Sequence, residues 1–134
     1  MSLFLHNEAL GKLVLRLTVG SLILFHGVAK ITDPASVDYI AGALTRAGLP
    51  PLLAYGVYVG EVVAPLMVIL GIYTRYAAII IVVNMIFAIT LMHMNDIFAL
   101  SDNGGWRLEL QGFYLFGALA IVFLGSGRHA YKPD

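Results

Sequence analysis

The sequence predicts an all-α protein, a transmembrane four-helix bundle with a short interfacial helix between its first and second spanning helices. The first observation is composition, because 60% of the 134 residues are hydrophobic and 12% are charged, whereas soluble domains average about 25% charged residues. The second is that four stretches approach the roughly 20 apolar residues needed to cross a hydrocarbon core. We therefore expect one integral membrane domain over residues 1–134.

The first two predicted spans each contain a charge. Helix one is predicted over residues 12–31 and helix two over residues 52–72, and they reach spanning length only by including Arg16 and Glu61. A charge at that depth is costly in lipid and is a functional-site hypothesis by default. Arg16 has an alternative, because its long side chain could extend to the membrane surface.

A short helix is predicted over residues 34–48, between these spans. Asp33 and Pro34 form a start signal, and Gly48 followed by a pair of prolines forms a stop. Apolar residues recur at helical spacing, which indicates a helix that lies at the membrane interface. It is a connecting cover in one interpretation and a moving lid over a site in the other.

The last two spans are more uniformly apolar. Residues 76–95 contain no Asp, Glu, Lys or Arg, so helix three meets the length requirement without a charge. Helix four is predicted over residues 107–126, with Glu109 near its start. Four spans place both termini on one side, and five of the eight basic residues fall there, which favours cytoplasmic termini in a bacterial inner membrane.

Charge and cysteine content exclude several functions. Eight basic and eight acidic residues leave no net charge, which argues against nucleic acid as a partner. The absence of cysteine excludes disulfides, thiolate metal ligation and thiol-based catalysis by this chain. Redox chemistry would therefore need a cofactor or a partner protein.

Polar side chains on separate helices are predicted to converge inside the bundle. Arg16 and Lys30 share one face of helix one, and the helical rise brings Lys30, His93 and Glu109 to about the same depth. Glu61 lies near the middle of the membrane. The candidates for ligand binding or proton carrying are Arg16, His26, Lys30, Glu61, His93 and Glu109.

Helix periodicity also predicts which faces point inward. On helix two, Pro65 cannot donate to the carbonyl of Glu61, so a kink is expected there. On helix three, His93 lies roughly opposite Asn84. On helix four the predicted inward stripe consists of Glu109, Gly112, Phe113, Phe116 and Ala120.

Short motifs on all four spans resemble the DoxX family, and the resemblance runs from about Leu13 to Gly127. They are Leu15-Arg16-Leu17, Gly20, Phe25-His26-Gly27, Lys30, Glu61, Gly71 to Arg75, Glu109 and Gly125-Ser126-Gly127. The resemblance implies a small four-helix membrane protein, and some relatives are subunits of quinone-linked oxidoreductases such as thiosulfate:quinone oxidoreductase. By position it implies a polar core of Arg16, His26, Lys30, Glu61 and Glu109, with weaker claims for His93 and Asn84.

Three functions are open. In the first, the chain is a component of a quinone-linked or other membrane redox system; His26 and Lys30 hydrogen-bond the quinone carbonyls, and Glu61 or Glu109 carries protons. Electrons would come from a partner or bound cofactor, since no haem, flavin or iron–sulfur motif occurs. The partners expected are the lipid bilayer, oxidoreductase subunits and a second copy of the chain.

The second function is a non-catalytic membrane anchor or assembly partner, whose polar residues fix the register of the helices. The third is a small-solute or metal site built from His26, His93, Glu61 and Glu109. These side chains suit a first-row metal, but no dense metal-binding motif occurs.

Overall fold

A computed structural model describes residues 5–134 and is built almost entirely of helices. The helices, in chain order, are α1 (Glu8–Thr32), α2 (Ala35–Arg46), α3 (Pro51–Leu70), α4 (Thr74–Met92) and α5 (Glu109–Leu124). Within the described residues, extended pairing is limited to one isolated bridge between Leu100 and Trp106 in the loop before α5. The predicted all-α class is confirmed.

Three helices, α1, α3 and α4, are long and apolar enough to cross a membrane. Helix α5 is apolar but has 16 residues, which at 1.5 Å per residue span roughly 24 Å. This is shorter than the hydrocarbon core of roughly 30 Å. The count of four spans therefore stays a prediction.

Helix α1 buries the face that carries its small residues Gly20 and Gly27. It begins after Asn7, whose side chain accepts a hydrogen bond from the backbone of Leu10 at 3.0 Å. Its buried residues recur every three or four positions: Arg16, Val19, Gly20, Ile23 and Gly27. The apolar members pack in a central core with residues of α3, α4 and α5.

Helix α3 changes geometry along its length. It starts with a 3-10 segment, Pro51–Tyr55, contains a π-helical turn, Val59–Val63, and continues as α-helix to Leu70. Gly71 ends it with a positive φ of 79°, a conformation that glycine adopts without strain. The predicted irregularity before Pro65 is therefore a π turn.

Helix α2 covers the start of α3 and lies near the end of α4. Val37 and Leu44 of α2 pack with Ala54 and Val57 of α3 in a second apolar cluster, which Leu91 of α4 joins. This arrangement leaves space between α2, α3 and α4, beside the central core.

The inward stripe predicted for α5 is right at Gly112 and wrong at Phe113 and Phe116. Phe113 and Phe116 are 79% and 62% exposed, whereas Gly112, Tyr114, Ala118 and Ile121 are buried. The physical reason is that α5 is apolar all round, and a lipid-facing phenylalanine has the same hydrophobicity as a buried one.

The helices alternate in direction, so the bundle has two ends. The termini end carries the start of α1, the turn from α3 to α4 and residues 125–134. There the backbone N–H of Tyr131 donates to the carbonyl of Leu70 at 3.0 Å. The loop end carries α2 and the connection from α4 to α5, residues 93–108.

Candidate functional site

An ion pair joins the end of α1 to the middle of α3. The Nζ atom of Lys30 lies 2.6 Å from the Oε1 atom of Glu61, and Glu61 is 5% exposed. Tyr58, one turn before Glu61, donates its hydroxyl to the carbonyl of Lys30 at 3.4 Å. A buried carboxylate next to an ammonium group satisfies the requirement that a charge away from water be paired.

The π turn and a glycine together position Glu61. Pro65 has no backbone N–H, and the N–H of Ala64 instead bonds to the carbonyl of Val59, five residues back. Gly27 of α1 packs directly on this turn, and a Cβ atom there would lie 2.1 Å from the Glu61 carbonyl oxygen. Helices α1 and α3 can therefore approach this closely only because Gly27 has no side chain.

Asn84 adds a third helix to the ion pair. Its Nδ2 atom donates to the second carboxylate oxygen of Glu61, Oε2, at 3.2 Å. Glu61 therefore receives one charged and one neutral donor, from α1 and α4. We call Lys30, Glu61 and Asn84 the polar triad, and its formal charge is zero when Lys30 and Glu61 are both ionised.

A cavity of about 800 Å³ lies against the polar triad. Helix α2, the first half of α3 and one face of α4 form its walls, and Lys30, Glu61, Asn84 and His93 are among its polar lining residues. Most of the other lining side chains are apolar; they include Ile40, Leu44, Val57, Ile80, Val83, Phe87 and Leu91. Its volume and mixed lining fall within the usual range of small-molecule sites.

The cavity lies to one side of the bundle, separate from the central core. Ile80, Val83 and Phe87 in its wall are 37%, 46% and 47% exposed. In a membrane this surface of α4 would face acyl chains. The wall of the cavity therefore includes a surface that lipid would cover in a membrane.

Arg16 does not belong to this cavity. It is 1% exposed, and its guanidinium donates to the carbonyls of Val68 at 3.0 Å, Ile69 at 3.0 Å, Ser126 at 3.1 Å and His129 at 2.6 Å. The expectation that Arg16 points into the bundle holds, but as a cap for the end of α3 rather than as a partner of Glu61.

Residues 125–134 fold back over the termini end. The Asp134 carboxylate accepts from the backbone N–H groups of Arg75 and Ser126, each at 3.1 Å. The Arg75 side chain in turn donates to the carbonyls of Val122 at 2.9 Å and Phe123 at 3.2 Å, near the end of α5. These contacts satisfy carbonyls that a helix terminus leaves without partners.

The other sequence-predicted residues lie in different surroundings. His26 is exposed on α1, where its ring meets that of Tyr114 edge-on at 5.7 Å. Glu109 is exposed at the first residue of α5, so its prediction as the inward carboxylate is wrong. It lines a second, polar cavity of about 380 Å³ at the loop end.

His93 lines both cavities. The prediction that it lies opposite Asn84 assumed that the helix continues to residue 95, but α4 ends at Met92 and His93 has left the helical conformation, with φ −132° and ψ 16°. The change of backbone direction brings its side chain to the same cavity wall as Asn84.

The proposed four-residue metal site does not assemble. Among residues 5–134, no three side chains of the types His, Asp and Glu are grouped so that they could hold a metal ion. His26, His93, Glu61 and Glu109 are distributed between the polar triad, the loop end and the exposed surface of α1.

Sequence reasoning missed two contributors to the site. Ser36 and Tyr39 of α2 line the cavity, in a helix that was predicted only to be a cover or a lid. The signal was present in the amphipathic pattern of α2, whose apolar face requires something to cover.

Comparisons with known proteins give a family and include two relatives. The DoxX family model matches residues 11–94. An uncharacterized protein of Haemophilus influenzae is 37% identical over 120 residues, which cover 87% of this chain and 84% of that protein. An uncharacterized membrane protein of Mycobacterium tuberculosis is 28% identical over 139 residues, covering 92% of this chain and 81% of the other. No solved structure gives a significant match.

Proposed function

The chain belongs to the DoxX family of membrane proteins, and on that premise we propose that it binds a quinone in the cavity beside the polar triad, as a component of a membrane redox system. The observation that carries the proposal is the juxtaposition of an apolar cavity of about 800 Å³ with the buried Lys30–Glu61 pair. A quinone has the matching chemistry, since its ring and tail are apolar and its two carbonyls accept hydrogen bonds.

The residues of the triad have separate roles in this proposal. The Lys30 ammonium has three donors, of which one is directed to Glu61, so it can also donate to a quinone carbonyl. Glu61 holds and releases a proton as the quinone changes redox state. Asn84 positions the Glu61 carboxylate through its hydrogen bond. His26, the other donor expected for the carbonyls, does not line the cavity.

Electrons are proposed to come from a partner oxidoreductase subunit. The proposed location is the bacterial cytoplasmic membrane, where quinones dissolve, with both termini in the cytoplasm. The basic residues Lys12, Arg75, Arg128 and Lys132 all belong to the termini end, which supports this orientation.

A second candidate is a non-catalytic anchor or assembly partner, alone or with a second copy of the chain. The observation that favours it is that the triad connects α1, α3 and α4 through two contacts. Buried polar groups can specify how helices pair without taking part in chemistry.

Quinone binding to the purified protein in lipid nanodiscs tests the proposal. Decylubiquinone should bind at about one molecule per chain above the level of protein-free nanodiscs, and Glu61→Gln should weaken binding at least tenfold. In Ile80→Trp the new side chain enters the cavity and should reduce binding, whereas Ile86→Trp should not, because Ile86 is exposed on the same helix but outside the cavity wall.

Two results would overturn the quinone proposal: wild-type protein that retains no more quinone than empty nanodiscs, or equal binding by the two tryptophan variants. The anchor role predicts instead that Glu61→Gln impairs assembly with partner subunits and that no variant changes quinone retention.

A further inference from the structure

His93 stands between two cavities of opposite character. On one side is the apolar cavity of the polar triad, and on the other is the polar cavity at the loop end. We infer that His93 transfers protons from the aqueous phase at the loop end to the ligand cavity. This inference rests on the proposed quinone function and adds to it a proton route and its direction.

The polar cavity is suited to collecting protons from water. Asp102 and Glu109 in its wall are exposed, as is Arg107. Three carboxylates and one guanidinium line it, which gives a formal charge of −2 when His93 is neutral. A negative cleft concentrates cations, including protons, near its surface.

Asp96 holds the imidazole at the boundary between the cavities. Its Oδ2 atom lies 3.7 Å from Nδ1 of His93, and its Oδ1 atom lies 3.7 Å from a guanidinium nitrogen of Arg107. These are ion-pair separations rather than direct hydrogen bonds. A neutral imidazole has one donor and one acceptor nitrogen, and can take a proton at one and give a proton from the other.

The charged and titratable groups that line the two cavities with His93 come from four helices, the connection between α1 and α2, and the loop of residues 93–108. On the side of the ligand cavity they are Lys30, Asp33, Tyr39 and Glu61. On the side of the polar cavity they are Asp96, Asp102, Arg107 and Glu109. Carboxylates and cations occur on both sides, so His93 lies between groups of both signs.

Among residues 5–134, the termini end offers no comparable route. The central core between that end and the triad is closed by apolar side chains with 0% exposure, including Ile23, Ala64 and Ile81. The Arg16 guanidinium at that end has its hydrogen bonds directed to main-chain carbonyls. Proton entry at the loop end is therefore the route that the described residues support.

Reduction of a quinone consumes the protons that His93 transfers. One quinone takes two electrons, from the partner subunit or an added mediator, and two protons, and becomes a quinol. Each proton leaves one nitrogen of His93 for a quinone oxygen. The ring is then reprotonated at its other nitrogen from water in the polar cavity.

The test measures the reduction rate of decylubiquinone bound to the nanodisc protein, with electrons supplied at an electrode by a soluble mediator. His93→Gln should bind quinone with wild-type stoichiometry yet reduce it roughly a hundredfold more slowly, the scale of a lost general acid. His26→Gln is the matched control and should keep the wild-type rate, because His26 lines neither cavity. Added imidazole should accelerate His93→Ala but not wild type.

The outcomes separate this inference from the proposed function. Wild-type protein without bound quinone would overturn both. Normal quinone binding with equal reduction rates in wild type and His93→Gln would overturn only the proton route. A slow His93→Ala variant that imidazole does not accelerate would also overturn it, because a purely structural histidine gives that result.

Discussion

The Nζ atom of Lys30 and the Oε1 atom of Glu61 are 2.6 Å apart, in a position where 5% of Glu61 is exposed. The pair connects the last turn of α1 to the π turn of α3. Each residue neutralises the charge of the other, so removing one of them leaves an unpaired charge.

Removing one partner of this pair should cost more stability than removing both. Glu61→Leu leaves the Lys30 ammonium without its partner and should lower the free energy of unfolding by about 3–5 kcal/mol. The double variant Lys30→Met, Glu61→Leu should be more stable than Glu61→Leu alone. Unfolding titrations with SDS in mixed micelles measure all the variants, and additive single-variant effects would contradict this prediction.

Gly27→Ala should separate α1 from α3. The added Cβ would lie 2.1 Å from the main-chain oxygen of Glu61, which cannot move aside without shifting the helix, so we expect a loss of more than about 3 kcal/mol. Gly11→Ala is the control in the same helix, because no atom lies within 4 Å of its added Cβ. It should be neutral or stabilising by up to about 1 kcal/mol. Thermal unfolding in detergent that gave equal midpoints for the two variants would contradict the close contact.

Asn84→Leu should lower the free energy of unfolding, because Asn84 donates a hydrogen bond to the Glu61 carboxylate. It removes the 3.2 Å hydrogen bond to Oε2, and hydrogen bonds to charged groups contribute about 1.5–3 kcal/mol. Thr90→Val is the matched control, because the Thr90 hydroxyl bonds only to carbonyls of its own helix, Ile86 and Phe87. The control should change the free energy of unfolding by less than about 0.5 kcal/mol. Equal losses in the two variants would count against a role for Asn84 in the triad.

Arg16→Lys should loosen the termini end despite keeping the charge. A lysine ammonium is a point donor and cannot reach four carbonyls spread over α3 and residues 125–134, as the planar guanidinium does. We expect a loss of at least about 2 kcal/mol and faster proteolysis within residues 125–134. Arg128→Lys, an exposed change in the same segment, should be cut at the wild-type rate. Unchanged proteolysis of Arg16→Lys would show that the carbonyl contacts do not hold this segment.

Much of the fold could be predicted because charges and small residues interrupt apolar runs. Arg16, Gly20, Gly27 and Lys30 marked one face of α1, and all but Lys30 are fully buried there, with Lys30 reaching the triad. By contrast, the apolar residues of α5 carry no such mark. A helix that is hydrophobic all round gives no sign of which side meets lipid.

The partners of the charged residues were harder to predict. Arg16 was predicted to converge with the other polar side chains inside the bundle, but it binds main-chain carbonyls, which have no signature in a sequence. The orientation predicted for His93 is wrong because it assumed a helix to residue 95, whereas α4 ends at Met92. Both errors concern helix ends, where backbone geometry decides the contacts.

The carbonyl contacts of Arg16 have a consequence for how this protein can evolve. Its partners at positions 68, 69, 126 and 129 present only peptide oxygens, which every amino acid possesses. Substitutions at those four positions can therefore accumulate without loss of the contact, so long as the chain path is kept. Divergent relatives should then retain an arginine here, while this contact does not fix which residues supply the carbonyls.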